Sequence, residues 1–155
     1  MRVRSIVVAS IVVSAGLLGG CGGGSEAKQA KQANAYVTAV NAAQARFSAN
    51  IARIGADTSG SRVTVATVGR LTGAVDRMAR DLRAIDAPTR VDRLHTRLVV
   101  EVADFRSSLG KAQRALRSGN RSRILAERAQ LVVSAKRATS AIETTLQGID
   151  STLRS

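Results

Sequence analysis

An unbroken alternation of three- and four-residue steps, Val68, Leu71, Val75, Met78, Leu82 and Ile85, most constrains what this chain can become. At 3.6 residues per turn such steps hold every one of these side chains on a single helix face, whereas a strand would scatter them over two. A helix striped in this way must bury the stripe against another element. The spacing recurs three more times. Tyr36, Val40, Ala43, Phe47, Ile51 and Ile54 make one stripe; Val91, Leu94, Leu98, Val102, Phe105, Leu109, Ala112 and Leu116 make another. Leu125, Val132, Ala135, Ala138, Ile142, Leu146, Ile149 and Leu153 make the last.

The breaks between stripes carry turn chemistry. Gly55 stands where a C-terminal cap glycine belongs, and Asp57, Ser59, Gly60 and Ser61 read as loop. Asp86-Ala87-Pro88 interrupts the second stripe, and proline is tolerated in a first helical turn, so a new helix is expected from Pro88. At Ser118-Gly119-Asn120 the glycine is a candidate cap for the outgoing helix and the asparagine for the incoming one. Helices are therefore predicted over about 35–54, 64–86, 88–118 and 121–153. Short turns between long helices make them antiparallel neighbours. The expected fold is all-α, an antiparallel up-down-up-down four-helix bundle over 35–155. With two Phe, one Tyr and no Trp, its core rests on Leu, Ile, Val and Ala. Gly69 and Gly73 weaken the second helix by about 1 kcal/mol each relative to Ala. Their four-residue step either admits a neighbouring helix or marks a soft first turn.

The amino terminus has a different organisation. Arg2 and Arg4 form a positive head before an apolar run from Ile6 to Leu18. That run falls short of the ~20 apolar residues needed to span a bilayer and has the length and flanks of a secretory signal peptide. It ends in Leu18-Gly19-Gly20-Cys21, with Leu three residues before the chain's one cysteine. This resembles the lipobox of bacterial lipoproteins. The resemblance implies cleavage between Gly20 and Cys21, acylation of Cys21, and a protein held outside the cytoplasm on the cell membrane. A thiol suits that chemistry as the strong nucleophile among side chains, and two or more acyl chains give a stable anchor. The expected layout is a signal peptide over 1–20, then an anchor cysteine and linker over 21–34. Gly22, Gly23, Gly24 and Ser25 read as a flexible tether. Residues 26–34 are polar helix formers without a stripe, an extension of the first helix or part of the linker.

The formal charge of +13 falls to +11 once Arg2 and Arg4 leave with the signal. The cations are unevenly spread. Between Arg106 and Arg128 lie Lys111, Arg114, Arg117, Arg121 and Arg123, and the one acid in that stretch is Glu127. Around the second turn Arg77, Arg80, Arg83, Arg90, Arg93 and Arg97 are offset by Asp76, Asp81, Asp86 and Asp92, with Asp76 and Arg80 in the favoured four-residue order for a pair. Lys111, Arg114, Arg117, Arg121 and Arg123 are thus the candidate contacts to an anionic partner: a cell-wall polymer, anionic lipid or an acidic envelope protein. A solvated basic surface is the competing reading. Nucleic acid is not expected, because export removes the chain from it and nearly aromatic-free helices give bases nothing to stack on.

No catalytic constellation emerges. His95 is the one histidine, and with Asp92 it forms a D-x-x-H step, whereas di-iron bundles use Glu-x-x-His on two helices plus further glutamates. A hydrogen bond from His95 to Asp92 or to a neighbouring helix is expected instead, and Tyr36 should pack in the core or at a bundle end. Glu101 and Asp104 share a face, but Arg97 and Arg106 beside them point to surface pairing. No metal, cofactor or enzymatic activity is expected. The readings left open are a non-enzymatic envelope interaction module and a small-ligand sensor with an apolar pocket near Gly69 and Gly73.

Overall fold

The computed structural model describes residues 24–58 and 64–155, so the signal, the Gly20/Cys21 cleavage position and most of the first loop lie outside the described residues. Four helices follow in order: α1 Gly24–Thr58, α2 Val65–Arg83, α3 Asp92–Ser118 and α4 Arg121–Arg154. The fold is all-α. Close packing joins consecutive helices, and α3 sits between α2 and α4. Side chains meet across each consecutive pair. Arg46 meets Asp81, and Asp76 meets Arg106. Thr145 meets Glu101, while Gly148 lies against Leu94.

The helix ends show which local signals prevail. Thr64 caps α2, its hydroxyl accepting the Thr67 N–H at 3.1 Å. Gly119 closes α3 at φ +66, a conformation glycine adopts without steric cost, and Asn120 Oδ1 accepts the Arg123 N–H at 2.9 Å to start α4. Elsewhere the expected bounds move. Gly55 does not end α1, which continues to Thr58. A Cβ built on Gly55 would meet no other atom within 4 Å, so the glycine's cost there is the modest one of an exposed helical glycine. Residues 26–34 belong to α1, not to a linker, and α1 alone is roughly 52 Å long at 1.5 Å per residue. Pro88 does not open α3. Its carbonyl accepts the Val91 N–H at 2.9 Å in a tight turn, and helical bonding begins with His95 N–H to Val91. Helix α2 correspondingly stops at Arg83, where Ala84 and Ile85 donate back to Arg80 and Leu82.

The core is gathered toward one end. Tyr36, Val40, Leu82, Val91, Leu98 and Ile149 are nearly inaccessible there, so all four helices contribute. Helix α3 stays buried along its length, from His95 to Ala115. Helix α4 is buried only at Thr145, Leu146 and Ile149. Its first half departs from expectation: Leu125 is 57% and Val132 53% exposed, and the neighbours Ile124 and Leu131 turn inward instead. The seam there is offset by one residue.

Candidate functional site

Two elements make the basic surface. Lys111, Arg114 and Arg117 step along the exposed side of the last two turns of α3, while Leu109, Ala112 and Ala115 fill the buried side. The Gly119-Asn120 turn then reverses the chain and presents Arg121 and Arg123 in the first turn of α4, both exposed. The structure therefore brings all five candidate residues to one end of the α3–α4 hairpin.

Ion pairing elsewhere leaves these cations unmatched. Asp81 takes Arg46 at 2.9 Å, Asp76 takes Arg106 at 3.0 Å, Glu101 takes Arg97 at 2.9 Å and Asp150 takes Arg154 at 2.9 Å. The expected Asp76–Arg80 pair is replaced by a cross-helix pair with Arg106, and Asp104 is not the acid that Arg106 uses. Among the described residues none of Lys111, Arg114, Arg117, Arg121 and Arg123 has an ion-pair partner. The placement of Arg121 and Arg123 in the first turn of α4 is also unfavourable. A helix N-terminus carries partial positive charge from its free N–H groups, so cations in the first turn are destabilising and acids are favoured. Helix α4 has no acid there.

The other sequence candidates fall into structural roles. His95 is buried, its Nδ1 3.1 Å from the Tyr36 hydroxyl, with the rings 5.6 Å apart edge to face. The bond ties α1 to α3, so the neighbouring-helix partner is found and Asp92 stays exposed. Burial pushes the Tyr36 phenol up to about 12. Glu101 is pinned by Arg97 and by the buried Thr145, whose hydroxyl lies 3.1 Å from both carboxylate oxygens. A carboxylate so held joins α3 to α4. Among the described residues no group of three His, Cys, Asp or Glu side chains is placed to hold a metal ion, and no helix is long and apolar enough to cross a membrane.

Near Gly69 and Gly73 lies an open groove of about 560 Å³ between α1 and α2, edged by Ile54, Ala66, Arg53, Arg70 and Arg77. It is shallow and rimmed by guanidinium groups, not an enclosed apolar pocket. Gly69 does admit a neighbour: a Cβ there would stand 3.1 Å from Gln113 Nε2 of α3. At Gly73 only the side chain of Arg77 is near, so close helix approach does not account for it.

Comparison with family models, curated proteins and solved structures finds no match.

Proposed function

We propose that this chain is an exported, lipid-anchored envelope protein whose helical bundle is a non-enzymatic interaction module, with the α3–α4 hairpin as its anion-binding end. The signal-like run and Leu18-Gly19-Gly20-Cys21 support the anchor. One observation supports the binding surface above others: Arg121 and Arg123 occupy the turn of α4 where the helix itself disfavours them, without an acid to relieve them. Charges that oppose the local fold are expected where function holds them. In this proposal an up-down-up-down order sets an anchor at Cys21 on the end of the bundle away from the hairpin.

Retention of wild type and of a variant with Arg114, Arg117, Arg121 and Arg123 all changed to Ser, on purified cell wall and on anionic vesicles, tests the surface. Loss in the variant is expected; equal retention on every anionic surface overturns it. Mass spectrometry of the membrane fraction tests the anchor, and an unmodified amino terminus overturns that part. The second reading, a small-ligand sensor, would have to use the α1–α2 groove, which is open and edged by arginines. A flat thermal-shift response to lipids, haem and small metabolites counts against it.

A further inference from the structure

The outer face of α4 is apolar and cationic together over its first half. Leu125, Val132 and Val133 are 57, 53 and 51% exposed, and Ala126 and Ala129 between them are exposed too. At 3.6 residues per turn these five fall within about a third of the helix circumference, opposite the inward-leaning Ile124 and Leu131. Arg121 and Arg128 edge the strip on one side, Arg123 and Arg137 on the other, and all four are exposed. None has an ion-pair partner among the described residues. Farther along, the same face carries the exposed Lys136 and then Ser140, Glu143 and Thr144, so the apolar strip ends after roughly 12 Å.

Resting on the anion-binding reading above, we infer that this strip lies on the surface of an anionic phospholipid bilayer. An apolar strip with arginines along both edges suits the headgroup boundary, where side chains such as Leu125 reach the acyl region and the guanidinium groups rise to the phosphates. A hydrophilic polyanion would satisfy the arginines but leave Leu125 and Val132 in water. A purely apolar protein surface would cover the strip but strand the cations. Three residues of chain can reach about 10 Å, so the spacing from Cys21 to α1 lets an anchored bundle lie along the membrane.

The test uses the full chain with Cys21→Ser, so that a single introduced cysteine takes an environment-sensitive fluorophore. Ala129→Cys reports on the strip, and Ser107→Cys on an exposed site of α3. On vesicles containing phosphatidylglycerol the label at 129 shifts to the blue, and on phosphatidylcholine alone it does not. The label at 107 stays unchanged on both. Leu125→Ser with Val132→Ser lowers binding to the anionic vesicles by about tenfold or more, and each arginine changed to Ser lowers it by up to about fivefold. Both substituted apolar residues are more than half exposed, and unchanged helical circular dichroism checks that the fold survives. No shift at 129 on anionic vesicles, or a shift indifferent to the two serines, overturns the inference. If the strip stays wet while retention on purified wall still needs the arginines, the partner is a polyanionic polymer and the anion-binding reading stands alone. If that retention is also lost, both readings fall.

Discussion

Reversing Arg121 and Arg123 to Glu should make the bundle more stable while weakening its hold on anionic surfaces. The two side chains sit at the first and third positions of α4 after the Asn120 cap. A charge within the first turn interacts with the helix dipole by about 0.3–1 kcal/mol at low ionic strength, unfavourably for a cation and favourably for an acid. Each reversal removes one penalty and adds one gain. The Arg123→Glu change also supplies the third-position acid of a capping box, able to reach the backbone N–H at the cap. Against this, the introduced carboxylate would face Glu127 four residues on, a like-charge pair costing about 0.2–0.5 kcal/mol. The Asn120 cap survives, because it binds the backbone N–H of Arg123 and not its side chain.

The net gain is about 1–3 kcal/mol. For a domain of roughly 130 residues, the usual unfolding entropy converts this to a rise in Tm of about 4–10 °C. The two-serine variant should lie near half way. Thermal unfolding followed by circular dichroism in low salt reads the gain, and repeating it in about 1 M salt should erase most of it, since the Debye length shrinks to about 3 Å. A Tm unchanged or lowered in low salt, or a gain indifferent to salt, refutes the claim that these arginines oppose the fold. The case for a functional surface would then lose its main support.

Four further outcomes follow from the buried contacts and the turn. Tyr36 is the chain's one tyrosine, so ultraviolet titration of the folded protein should show a midpoint near 12 in place of 10. A folded value raised above the unfolded one means that this contribution to stability is complete below pH 10 and is lost as pH rises from about 10 to about 12. Tyr36→Phe should abolish that loss and, by leaving the buried His95 nitrogen without its partner, lower stability by about 1–3 kcal/mol in urea. Gly119→Ala should cost about 1–2 kcal/mol by chemical denaturation, because φ is +66 there and nothing lies within 4 Å to clash, which makes the penalty purely conformational. Thr145→Val keeps the side-chain shape but removes the hydroxyl from Glu101, and a loss of about 1–3 kcal/mol is expected by urea denaturation.

What the sequence reveals of this fold divides by the range of the interaction. The uninterrupted steps from Val68 to Ile85 place α2, and Gly119 with Asn120 set the α3–α4 turn, because those signals act within one helical turn. The start of α1 is hidden: Glu26, Lys28, Gln29 and Lys31 have helix propensity but no stripe, so nothing in the pattern separates helix from tether there. Gly55 and Pro88 carry end signals that miss by several residues: α1 runs through the exposed Gly55 to Thr58, and a turn from Pro88 to Val91 comes before α3. Asp76 prefers Arg106 across the helix interface to Arg80 four residues along, and His95 is drawn inward by the Tyr36 hydroxyl although Leu94 looks like the seam residue. Periodicity says which side chains share a face, not whether another helix covers that face. For most of the chain the two coincide. Along the first half of α4 they separate, and the apolar strip that looks like core becomes outward surface, edged by arginines. The charge excess is legible residue by residue; its juxtaposition with exposed Leu125 and Val132 follows only from which face of α4 the neighbouring helices cover.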